Sequence, residues 1–210
     1  MFATHLSQWA YGSWIDFGEV RVDSVSSVND FITIKIETGY FYSLEPLAVQ
    51  FRNPALSGTK RFYMPPTIAI LSTGLQFNMV PNSLQLRFFE LLLEGVDYEE
   101  KDGVFYTPCV TQMADVEIMV EGCDPDPNGD GVFQNCDAGY NKNKRYFWVV
   151  FAGQDMIIDS RVEDSTEQLC IINFLPNVDD YWVFGQSFYT DYYISHEPNE
   201  NQIRIAPTEL

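Results

Sequence analysis

The sequence predicts an all-β fold, mainly strands with one or two short helices. Residues 31–37, Phe-Ile-Thr-Ile-Lys-Ile-Glu, alternate cleanly. Ile32, Ile34 and Ile36 fall on one face and Thr33, Lys35 and Glu37 on the other, the period of a half-buried strand. Aromatic residues make up 15% of the chain, and flat rings pack well across pleated surfaces. Against these strand signals, one segment stands out as helical.

Further strand candidates are residues 115–120, 146–151, 169–174 and 202–206, each rich in β-branched or aromatic side chains. An apolar run, Ile68-Ala69-Ile70-Leu71, ends in Ser72-Thr73-Gly74, which reads as a buried strand entering a tight turn. The helix is expected over residues 82–94. Pro81 suits its first turn, Leu84, Phe88, Leu91 and Leu92 fall near helical spacing, and Gly95 can stop it. No internal repeat, low-complexity tract or linker divides residues 1–210, so a single domain is expected.

At 210 residues and 46% hydrophobic, the chain can bury a substantial core. It has no apolar run of the length that a membrane-spanning helix needs. Its start, Met-Phe-Ala-Thr-His-Leu, lacks the basic and long apolar regions of a signal peptide. The net charge is −18, a field that repels phosphate backbones and argues against nucleic acid or anionic membrane partners.

The segment Ile68-Ala69-Ile70-Leu71-Ser72-Thr73-Gly74 resembles the second active-site motif of the pepsin-like aspartic peptidases, three apolar residues followed by Asp-Thr-Gly. Tyr181-Trp182-Val183-Phe184-Gly185-Gln186-Ser187-Phe188 is similar to that family's Trp-apolar-apolar-Gly-Asp-x-Phe segment. Tyr192-Tyr193-Ile194-Ser195 and Asn201-Gln202-Ile203-Arg204-Ile205-Ala206-Pro207 resemble its closing hairpin, and residues 2–6 followed by Ile15-Asp16-Phe17-Gly18 its entry into the second lobe. The likeness covers nearly the whole chain in order, and it implies a single C-terminal lobe over residues 1–210.

In that family two carboxylates from two lobes share a proton and activate a water. Here Ser72 stands at the acid's position, and a hydroxyl neither ionises in the needed range nor carries negative charge. Leu75-Gln76 replaces a pair of small hydroxyl residues, and Gln186 stands where the family often has Asp. The resemblance therefore implies a catalytically inactive lobe, with no required cofactor, serving as a binding or structural module in a larger protein or assembly. The alternative is one chain of a processed two-chain endopeptidase whose other lobe carries Asp-Thr-Gly. Either reading implies a protein partner, such as an N-terminal lobe preceding residue 1. Either also implies an apolar floor left open near residues 2–6 and 202–206, and places Ser72 beside residues 183–185.

Four cysteines in a β-rich chain suggest two disulfides and an oxidising compartment: secretory, lysosomal or extracellular. The family resemblance implies the pairing Cys109–Cys170, leaving Cys123 and Cys136 to bracket an acidic loop insert. That loop begins Asp124-Pro125-Asp126-Pro127-Asn128-Gly129-Asp130-Gly131. Oxygen ligands at alternate positions with a glycine to turn the backbone suit Ca²⁺, so Asp124, Asp126, Asn128 and Asp130 are candidate ligands. The pattern fits an EF-hand only at its start, since Gly131 and Asn135 replace the later residues that rule requires. It more nearly resembles the disulfide-bound calcium loops of thrombospondin type 3 repeats. The same residues are also ordinary turn formers.

Other chemistries find little support. A serine nucleophile at Ser72 needs a general base, and the two histidines, His5 near the start and His196 in an expected hairpin turn, have no catalytic context. Cysteine and histidine spacings match no zinc site, and no phosphate-binding glycine loop occurs. Acidic residues such as Asp159, Glu163, Asp179 and Asp180 are too numerous for sequence to single out a pair.

Overall fold

A computed structural model of the chain describes residues 1–6, 13–18, 25, 31–36, 42–53, 58–124, 144–158 and 169–208. In chain order the strands are β1 (Phe2–His5), β2 (Trp14–Phe17), β3 (Ile32–Lys35), β4 (Ser43–Leu44), β5 (Pro46–Arg52), β6 (Thr59–Tyr63), β7 (Ala69–Leu71), β8 (Asn78–Val80), β9 (Glu99–Lys101), β10 (Val104–Pro108), β11 (Asp115–Cys123), β12 (Lys144–Phe151), β13 (Ile157–Ile158), β14 (Leu169–Ile172), β15 (Phe174–Pro176), β16 (Trp182–Phe184), β17 (Tyr192–Glu197) and β18 (Gln202–Pro207). Two helices, α1 (Gln85–Leu92) and α2 (Gln186–Asp191), join them. The fold is mainly β, as the strand signals predict.

Among the described residues the strands form three sheets. The largest runs β2-β1-β17-β18-β3-β11-β5-β6, with β12 also paired to β11. A second sheet runs β13-β14-β10-β9, and a third β15-β8-β16-β7-β4. The expected strand at residues 169–174 is broken at Asn173. There the chain leaves β14 for β15 and changes sheets, and the Asn173 N–H bonds to the Met156 carbonyl at 2.7 Å.

The expected helix is a 3-10 turn, Asn82–Leu84, continuing into α1. Leu84, Phe88 and Leu92, spaced by four, are buried on one face, while Leu86, Arg87 and Glu90 are exposed. Gly95 follows with φ of 76°, the left-handed conformation that stops a helix. Phe88 is the hub of an aromatic core. It meets Phe51 at 5.2 Å, Phe174 at 5.0 Å and Trp182 at 5.5 Å between centroids. Phe151 bridges the largest sheet to Phe174 and Phe184 of the third, each at 5.3 Å. Edge-to-face rings at such distances add about 1 kcal/mol per pair beyond area burial.

The expectation of an open floor at residues 202–206 is corrected. β17 is buried at every position and β18 at all but Pro207. β18 lies inside the sheet between β17 and β3, so neither backbone edge is free and both faces are covered. Ala3 and Thr4 are buried too. Near the start of the chain, apolar side chains are exposed on the edge strand β2, where Ile15 is 57% and Phe17 80% exposed. Burial on both faces also explains why Thr33, on the expected polar face, is fully buried. Charges inside this sheet are paired: Arg204 Nη1 lies 2.5 Å from Glu197 Oε1, and Gln202 Nε2 donates to Glu197 Oε2 at 3.0 Å.

Candidate functional site

β7 delivers Ser72 to a turn whose geometry follows from the order of the third sheet. β16 lies between β7, to which it is parallel, and β8. The loop of residues 72–77, joining β7 to β8, must therefore cross the end of β16, and the chain leaving β16 must pass through that loop. The register of Ala69, Ile70 and Leu71 with Trp182, Val183 and Phe184 fixes the crossing.

Backbone bonds lock it. The Ser72 N–H donates to the Phe184 carbonyl at 2.9 Å, and the Gln186 N–H to the Leu75 carbonyl at 2.7 Å. Gln186 Nε2 donates to the Thr73 carbonyl at 3.1 Å. Buried Asn78 accepts from the Gly185 N–H at 2.9 Å and donates through Nδ2 to Ser187 Oγ at 2.9 Å. A Cβ on Gly185 would lie 2.4 Å from the Phe77 carbonyl oxygen and 2.6 Å from that of Leu75, so only glycine fits under the loop. The expected closeness of Ser72 to residues 183–185 is met.

The turn itself faces outward. Ser72 is half-buried, and Thr73, Gly74, Leu75 and Gln76 are exposed. Its support comes from below, where Phe88 of α1 packs edge-on against Trp182 of β16. Among the described residues, the hydrogen-bonding groups gathered at the crossing are backbone amides, the amides of Asn78 and Gln186, and the Ser187 hydroxyl. These bonds fix the main chain that carries the Ser72 side chain. With serine there it supplies a hydroxyl and no charge.

This arrangement, a strand ending in Ser-Thr-Gly and threaded by a Gly-containing partner, lies inside the span of a family match. The family model described as eukaryotic aspartyl protease matches residues 1–208. The chain belongs to the eukaryotic aspartyl protease family. A probable aspartic-type endopeptidase of Aspergillus oryzae, opsB, is 22% identical over 149 residues, covering 69% of this chain and 25% of that protein. The chain thus spans far less than the whole length of that aspartyl protease relative.

Other sequence-predicted site residues lie apart from the turn. Cys109 and Cys170 are joined, with Cα atoms 5.0 Å apart. Cys123 is disulfide-bonded, whereas Cys136 falls outside the described residues. Of the candidate calcium ligands, Asp124 lies next to β11's end and faces Arg145 Nη1 at 3.5 Å. Asp126, Asn128 and Asp130 fall outside the described residues, as do Asp159 and Glu163. Asp180 accepts from the Ser83 N–H at 2.8 Å, starting the 3-10 turn rather than joining a carboxylate pair.

Three residues of consequence were not singled out from sequence or were placed wrongly. Asn78 was unmarked, and its signal was an amide opening the otherwise apolar Asn78-Met79-Val80 strand. His196 is not in the hairpin turn: it lies within β17 and is 3% exposed, and burial pushes its pKa down to about 4. Asp191, at the end of α2, has its carboxyl pushed up to about 7 by burial and, secondly, by Asp155.

Proposed function

We propose that this chain is a non-catalytic lobe of the eukaryotic aspartyl protease family, matching its C-terminal lobe, that serves as a binding or structural module in a larger protein or assembly. One observation carries the reading: Ser72 occupies the turn at the end of β7, where the chain bonds to Phe184, Gly185 and Gln186 across the crossing with β16. The frame supports a side chain that cannot share a proton or activate water. Chemistry of the active kind needs two carboxylates, and Ser72 contributes none.

The test is acid proteolysis. The purified chain is incubated with a denatured protein substrate near pH 4, with and without pepstatin. No pepstatin-sensitive cleavage is expected from the chain, and none from Ser72→Asp alone, because one carboxylate does not make the pair. Pepstatin-sensitive cleavage by the unaltered chain would overturn the reading.

A second reading, one chain of a two-chain aspartic endopeptidase, draws on the exposed edge. Ile15 and Phe17 present exposed apolar side chains on β2, which ends the largest sheet among the described residues, the kind of surface that pairs with another chain. Intact mass and peptide mapping of co-purifying polypeptides, without reduction, separates the two. A partner lobe carrying Asp-Thr-Gly supports the endopeptidase; unrelated partners support the module. The Cys109–Cys170 bond and the family favour a secretory or lysosomal setting for either. Calcium binding in the acidic loop is a separate proposal, tested by the melting shift that Ca²⁺ produces in the parent and in Asp126→Asn/Asp130→Asn.

A further inference from the structure

β1 is held on β17 by an aromatic stack built around one histidine. Phe2 and His196 are register partners, and their rings stack with centroids 4.5 Å apart and an interplanar angle of 17°. Tyr42 meets the imidazole edge-on at 4.3 Å, and Tyr189 of α2 lies near-parallel to it at 6.4 Å. Phe2 and Tyr42 touch edge-on at 6.0 Å. His196 Nδ1 has no hydrogen-bond partner among the described residues, and neither has Thr4 Oγ1 on the same face of β1.

We propose that His196 is an acid-sensitive latch for the β1–β2 pair: the neutral imidazole completes the stack, and the imidazolium breaks it and turns β17 into a sheet edge. A protonated ring carries a donor on both nitrogens, and Nδ1 has no acceptor among the described residues. The described titratable groups facing it are the phenols of Tyr42 and Tyr189, which bring it no carboxylate. Thr4 of β1, Ile194 of β17 and Ile203 of β18 bring no charge. Glu197 and Arg204 lie on the opposite face of their strands and neutralise each other.

The sign follows from burial. The folded-state pKa of about 4 lies below the ordinary histidine value of 6.5. Above pH 6.5 both states are neutral and the latch is closed. As pH falls from 6.5 toward 4 the opened state gains a proton that the closed state refuses, and the stack weakens. With β1 and β2 displaced, β17 offers unpaired backbone groups to an incoming strand. The inference does not depend on the functional reading above.

Hydrogen exchange on the whole chain tests it, with rates at pH 7, 5.5 and 4.5 divided by the intrinsic rate. Protection of residues 2–5 and 192–197 should fall roughly 50- to 100-fold between pH 7 and pH 4.5, while α1 changes less. In His196→Phe and His196→Gln, each compared with its own pH 7 value, that local fall should vanish. An equal fall in both variants, or none in the parent, overturns the proposal. So does a His196 imidazole that titrates at 6.5 by NMR in the parent protein, a readout independent of either variant's folding.

Discussion

Asn78 Oδ1 accepts the Gly185 backbone N–H at 2.9 Å, joining two points 107 residues apart in sequence. The bond sits where the chain leaving β16 passes beneath the loop that carries Ser72. It ties the start of β8 to the start of α2, so the turn's geometry is held by residues far outside the Ser-Thr-Gly triplet. The crossing is held by backbone groups and by the side-chain amides of Asn78 and Gln186, not by the side chain of Ser72.

Gly185→Ala should be severely destabilising. The new Cβ would lie 2.4 Å and 2.6 Å from two backbone oxygens, and backbone in a threaded loop cannot swing aside as a side chain could. A cost of about 3 kcal/mol is expected, read as a lower urea midpoint. Gly74→Ala is the control: its Cβ would meet only Ser72 Oγ, at 3.9 Å, and its midpoint should stay close to the parent's.

Asn78→Ala should cost about 2–3 kcal/mol, because it strands the Gly185 N–H in a buried place. Ser187→Ala removes only a partner of Asn78 Nδ2 and should cost about 1 kcal/mol. Urea midpoints of the two variants check the order. Equal losses would mean that the amide holds Ser187 rather than the crossing.

How far sequence carried this fold depends on what decided each element. β3 was legible from its alternation, though it is buried on both faces, β11 and β12 from their β-branched and aromatic content, and the helix because its periodicity matched its burial. The β7–β16 crossing was legible only through an ordered resemblance, since nothing in Ser72-Thr73-Gly74 alone names Phe184 as its partner. β17 and β18 misled for a physical reason. The open floor expected at residues 202–206 follows from a two-lobe resemblance, whereas here both faces of these strands are covered and the charges of Glu197 and Arg204 pair within the sheet. Sequence alone places His196 at a turn, because the turn-forming run from Glu197 to Asn201 begins directly after it. Asn173 splits an apolar run that reads as one strand, since a change of sheet leaves no periodic mark.

Arg204→Ala should destabilise by about 3–5 kcal/mol, since it leaves Glu197, with a side chain 8% exposed, buried without its counter-charge. Replacing both partners at once, as Glu197→Leu/Arg204→Met, should recover most of that loss, because two apolar groups of similar volume need no pairing. Thermal midpoints of the single and double variants decide it. A double variant as unstable as Arg204→Ala would show that the pair contributes through Gln202 and Ser195 as well.

Asp191→Asn should change the slope of stability against pH. The Asp191 carboxyl has an ordinary value of 3.8 and is held at about 7 in the fold, by burial first and Asp155 second. A raised acid pKa means that the folded state keeps a proton which the unfolded state gives up. Stability contributed by this group is therefore full below about pH 4, is lost as pH rises toward 7, and stays lost above it. His196 acts with the opposite sign over an overlapping window, so the two partly cancel in the global stability of the parent. Removing Asp191's charge with asparagine should gain about 3 kcal/mol at pH 8 and little at pH 4. Urea unfolding of Asp191→Asn from pH 4 to pH 8 should then expose the histidine's slope, with stability rising from pH 4 to 6.5. A gain that is the same at both ends would place the benefit in packing rather than in the proton.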